Sequence, residues 1–245
     1  MHNTKTTGIA TVPFKFFAVL LAAMTGVGLA AGFIMDRTRG VLEPRETSVA
    51  AMNEAAMQKS IANRKAMLLK GSAFSCACGG ALLVGVFGVV IGAWRRSTIW
   101  GVIGLGLGLL LGGSLGGAAG YETEAISAYA ISHSLASTST YSIISAVFWG
   151  AIGVAAALTA WAVASTRFSA ASRFGGPLLG AVLAALLTPI IGGLFLPIDF
   201  KGRIPPRMRS ECLLVGSVGA ALLAVGTGYC LRPRSPASER TSLVQ

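Results

Sequence analysis

Charge is the scarcest commodity in this chain. Only 12% of its 245 residues are Asp, Glu, Lys or Arg, about half of the ~25% that soluble domains carry. Histidine occurs only as His2 and His133, and neither stands near a cysteine. H-E-x-x-H, carboxylate clusters and the G-x-x-x-x-G-K-[ST] loop are missing, which removes the usual frames for a catalytic metal and for nucleotide phosphates. The cysteines form no C-x-x-C. Cys76 and Cys78, two residues apart, point to nearly opposite sides of a helix, and Cys212 and Cys230 mark the ends of one apolar run. They read as small apolar fillers rather than a zinc site or disulfide frame. No cofactor, metal or catalytic constellation is expected.

What remains is apolar and rich in glycine. Hydrophobic residues make up 53% of the chain and mean hydropathy is +0.70. The 32 glycines exceed the usual ~7% but follow no three-residue period, so the chain is not collagen-like. Its apolar content is too high for disorder. The fold class is all-α, a polytopic helical membrane protein.

Six runs are long enough to cross a ~30 Å hydrocarbon core: 14–35, 72–94, 98–121, 142–165, 174–197 and 212–231. None carries a charge away from its ends, and Lys15 at the edge of the first can snorkel to the interface. The spans form one membrane domain, 14–231, after a short N-terminal segment, 1–13. A basic, Pro- and Ser-containing tail, 232–245, reads as disordered. Lys5 and Lys15 also suit a signal peptide cleaved after Ala30, but the apolar stretch 16–34 is longer than a usual h-region and favours a retained span. The expected location is the plasma or inner membrane.

The net charge of +11 does not point to nucleic acid. Its Lys and Arg lie between the runs, without interleaved aromatics, as suits residues that meet lipid headgroups. The longest connection, 36–71, reads as helical from Val49 to Lys70, with Thr47 or Ser48 as N-cap. Lys59, Arg64, Lys65 and Lys70 make its later half basic. It suits either contact with anionic headgroups or a solvated helix leading into the second span. Sidedness is poorly marked. With the N-terminus inside, nine Lys and Arg fall inside and eleven outside, so the positive-inside rule is silent. The connection 122–141, which lacks Lys and Arg, favours that orientation and the basic 59–70 segment opposes it.

The most distinctive pattern is Gly104, Gly108, Gly112, Gly116 and Gly120, spaced four apart within the third run. In water such a helix loses up to ~1 kcal/mol per glycine relative to alanine. In lipid the same stripe is a packing surface, and a glycine-zipper bundle is expected. Further small-residue rows are Gly28 and Gly32; Gly80, Gly88 and Gly92; and Gly216, Ala220, Ala224 and Gly228. Gly101 lies off the stripe, so bulk there is expected to cost less than at Gly108 or Gly112. Five glycines in series exceed what one neighbour needs, so the stripe is also a candidate contact for a homo-oligomer or pore. Gly180, Ala184, Thr188 and Gly192 echo it in the fifth run, which hints at a duplication of spans two and three as four and five.

Other features weigh less. Gly112-Gly113-Ser114-Leu115-Gly116 fits G-x-S-x-G, but that pattern needs a strand-to-helix elbow. Inside a helical span Ser114 is expected to bond its own backbone. Glu122 and Glu124 read as a solvated pair ending the third span, with attraction of cations to a pore mouth as the alternative. Pro189 removes a backbone donor in mid-span and is the candidate kink of the fifth helix; Pro177 lies near its start. The sequence thus favours a non-catalytic assembly or accessory subunit using the third span, with an uncoupled facilitator for small solutes as the alternative.

Overall fold

The structure, a computed structural model, describes residues 14–39, 54–94, 97–133, 135, 138–164, 169–196 and 209–230. These residues form six helices and no strand: α1 (Phe14–Arg39), α2 (Glu54–Ala93), α3 (Thr98–Ser132), α4 (Thr138–Val163), α5 (Ala170–Phe195) and α6 (Arg209–Cys230). All six are long and apolar enough to span a membrane, and the chain is read as a multi-pass integral membrane protein. Lys5 of the leader reading, the Thr47 or Ser48 cap and the basic tail lie outside the described residues.

Each helix touches its neighbours in sequence, and α1 meets α6, so the six close into a ring; α2 also meets α4. The most apolar windows of α2, α4 and α6 are 56%, 61% and 56% buried, against 28% for α1, α3 and α5. The even-numbered helices are therefore inner and the odd-numbered ones outer. Trp149, Phe87, Phe148, Leu20, Met24, Leu83 and Ile152 are fully buried and fill the interior.

Two helices are longer than their spans. At 1.5 Å per residue, the 40 residues of α2 reach about 60 Å, twice the hydrocarbon thickness. All of the described side chains from 54 to 67 are exposed except Ser60. Lys59 stands about 20 Å further along the axis than Ser72. This continuous helix favours the solvated lead-in over a segment resting along headgroups. Similarly, α3 runs on to Ser132, and His133 is its C-cap. Glu122 and Glu124 therefore sit within a helix rather than at its end, because 121–132 contains no Gly or Pro to stop it.

Backbone contact dominates the α2–α3 pair. A Cβ on Gly104 would strike the carbonyl oxygen of Gly88, and one on Gly88 that of Gly104. Gly112 and Gly80 block each other in the same reciprocal way. Gly108 meets the Val84 carbonyl, and Gly116 and Gly120 meet those of Cys76 and Ser72 at 2.7 Å. Where each glycine points a Cα–H bond at the opposing carbonyl, weak C–H···O attraction of ~0.5–1 kcal/mol adds to close packing. A second such contact joins α1 to α6: Gly28 and Gly216 are reciprocal, and Gly32 faces the Cys212 carbonyl.

The echo between the third and fifth helices does not extend to their contacts. Gly180 packs on Leu223 of α6, the following helix, whereas the α3 glycines face α2, the preceding one. Similar composition has been put to different uses.

Candidate functional site

All five glycines of the α3 stripe are buried, together with Gly101. A Cβ at Gly101 would meet the Val89 carbonyl at 3.8 Å, an ordinary contact, so Gly101 shares the α2-facing side but leaves room for a methyl group. The opposite side of α3 is open. Ile99, Val102, Leu109 and Leu110 are exposed, with small Gly106, Ser114 and Ala118 among them. A Cβ at Gly106 would meet nothing within 4 Å.

Ser114 donates its hydroxyl to the Leu110 carbonyl at 2.8 Å on this outer side, within an unbroken helix. The helix has no strand-to-helix elbow there, and among the described residues the Ser114 hydroxyl bonds only backbone carbonyls of its own helix. Ser114→Ala is expected to leave unfolding in detergent unchanged within ~0.5 kcal/mol. His133 is exposed at the end of α3, stacked on Tyr129 at 4.1 Å, with Nδ1 3.0 Å from the Tyr129 carbonyl oxygen. Among the described residues, no group of three His, Cys, Asp or Glu is placed to hold a metal.

Two features of the interior escaped sequence reasoning. Glu211, in the first turn of α6, is only 2% exposed. A carboxylate suits a helix N-terminus electrostatically, but nothing in the residues around it distinguishes it from an exposed connection. Nearby, Arg37 and Arg209 both place a guanidinium over Phe33, at 5.3 and 5.1 Å from the ring centre. The Arg209 contact ties the end of α1 to the start of α6.

The second feature is three buried polar side chains on α4 and α5. Ser145, Trp149 and Thr188 are buried, and Ser145 Oγ, Trp149 Nε1 and Thr188 Oγ1 have no hydrogen-bond partner among the described residues. The Trp149 ring edge formed by Cε2, Cζ2 and Cη2 lies over Gly219 of α6, where a Cβ would enter the ring. Gly153 of α4 faces Ala181 of α5, and Gly180 of α5 faces Leu223 of α6. Following these registers one or two turns brings Ser145 and Thr188 to one depth, with Trp149 about one turn away. Pro189 follows Thr188 inside α5. It has no N–H, so the Ala185 carbonyl loses its helical donor.

No family model, curated protein or solved structure matches the chain. Function must therefore be argued from the geometry.

Proposed function

We propose that this protein is a non-catalytic membrane subunit that assembles through α3. One observation carries the reading: the two sides of α3 differ in use. The inner side brings its five glycines against the α2 backbone, which we read as a glycine-zipper seam closing a hairpin. The outer side remains apolar and small enough, at Gly106, Ser114 and Ala118, for another helix to approach. In lipid, such small-residue surfaces associate by packing rather than by hydrophobic drive. The partner is a second copy of the chain or a fixed subunit of another kind.

Native mass spectrometry of the detergent-extracted protein tests this, beside a Gly106→Leu/Ser114→Leu variant. Both changes are on the open side, so folding should persist. The expected outcome is a defined oligomer or a stoichiometric partner in the wild type and its loss in the variant. A lone monomer from both would overturn the proposal.

An uncoupled facilitator is the second reading. It draws on the polar groups of α4 and α5 and on Pro189, which would kink α5 beside a path. Solute-selective swelling of proteoliposomes would support it. The large side chains that fill the interior weigh against an open channel in the single chain.

A further inference from the structure

Two positive charges meet at one end of the α1–α6 pair. The helices run antiparallel, with Gly28 against Gly216 and Gly32 against the Cys212 carbonyl. About a turn further along α1, and a turn back along α6, this register brings Arg37 and Arg209 to one level. Their side chains converge there on the Phe33 ring. Both guanidiniums stand over it, 5.3 and 5.1 Å from its centre. They are therefore at most about 10 Å apart, where salt screens like charges only in part. The ring attracts each cation but neutralises neither. Asp36 and Glu211 are the nearest carboxylates in sequence, yet among the described residues neither guanidinium makes an ion pair. Glu211 is buried and Asp36 half-buried, whereas Phe33, Arg37 and Arg209 are all exposed. The countercharge must come from outside the chain.

We propose that Phe33, Arg37 and Arg209 form a binding site for the headgroup of an anionic phospholipid. Depth is the first argument. The apolar runs 14–35 and 212–231 both stop at this level, so the ring lies in the last turn of its span and the guanidiniums lie just beyond. That is where lipid phosphates are found. Chemistry is the second. One phosphate can accept from both guanidiniums, each presenting a planar pair of N–H donors. Phe33, 37% exposed, offers an apolar surface to the acyl chains below. A choline headgroup would bring its own cation toward the two arginines, so an anionic lipid is preferred over a zwitterionic one. The site lies on α1 and α6 rather than on α3, and it stands whether or not α3 assembles.

The test is native mass spectrometry of the full-length protein in detergent, titrated separately with phosphatidylglycerol and phosphatidylcholine. The wild type should retain phosphatidylglycerol more tightly. Arg37→Gln and Arg209→Gln should each weaken that binding about fivefold, and the two together about twentyfold, with phosphatidylcholine unaffected. The single changes carry the result even if the double variant folds poorly. Arg64→Gln/Lys65→Gln removes as much charge from the exposed stem of α2 and should leave phosphatidylglycerol binding unchanged. Equal retention of the two lipids in the wild type would overturn the proposal. So would an equal loss in the α2 variant, which would make net charge rather than this site responsible. Displacement of phosphatidylglycerol by millimolar inorganic phosphate would overturn it too, by assigning the arginines to a free anion.

Discussion

Gly112→Ile should destabilise the protein by about 3 kcal/mol or more, at the upper end of overpacking effects. The new side chain would meet the backbone carbonyl of Gly80 and, at 2.8 Å, the Cβ of Val84. A flexible side-chain end can swing away, but a carbonyl within a helix cannot. The helices must separate, and separation at Gly112 weakens the flanking contacts at Gly108 and Gly116. Gly106→Ile, on the same helix, provides the comparison. Nothing lies within 4 Å of its Cβ, and isoleucine is a somewhat better helix former than glycine, so a change within ~0.5 kcal/mol is expected. Reversible unfolding in mixed micelles measures both. Equal losses at the two positions would mean that glycine matters here for some reason other than close approach.

The second large effect is expected at Trp149. It is fully buried, and its ring occupies the space that a side chain at Gly219 would need. Trp149→Ala should cost ~3–5 kcal/mol, through lost packing and the cavity left behind. Gly219→Ala should also destabilise, because the added methyl group enters the ring edge. Trp149→Phe removes the Cζ2 and Cη2 edge. The double variant Trp149→Phe/Gly219→Ala should therefore be more stable than the two single losses predict, by about 1 kcal/mol or more of coupling. Additive losses would show that the two residues do not share that space.

The part of the fold most legible in the sequence was the part that the bilayer dictates. Hydrocarbon thickness sets a minimum apolar length, so the six runs around Met24, Phe87, Leu110, Ile152, Leu186 and Leu223 stood out without knowledge of their partners. Their ends were less legible. Beyond Tyr121, α3 leaves the apolar regime but keeps good helix formers such as Ala125 and Ala128, so hydropathy falls where the helix does not. The glycine spacing marked a surface but named no partner, since four-residue periodicity is a property of one helix and contact is a property of two. Gly101 shows the limit: a three-residue step before Gly104 places it on the same side, though it falls outside a strict four-residue count. The polar groups at Ser145 and Thr188 were harder still. In the sequence they are two common small residues, and only burial together with hydroxyls that make no bond sets them apart.

The α2–α3 seam has one more consequence. Its contacts pair Trp100 with Gly92, Gly104 with Gly88, Gly112 with Gly80 and Gly116 with Cys76, all symmetric about the short turn between the helices. Small residues recur every fourth position on α3 from Gly104 to Gly120 and on α2 with the single interruption of Val84, so the seam is also a track on which a shift of one turn would set mostly small residues opposite one another. Two fixtures prevent sliding. The short turn between Ala93 and Thr98 tethers one end. At the other, Ser72 donates its hydroxyl to the Gly120 carbonyl at 2.7 Å. Ser72 thus works as a latch, holding a pair of otherwise self-similar rails in a single alignment.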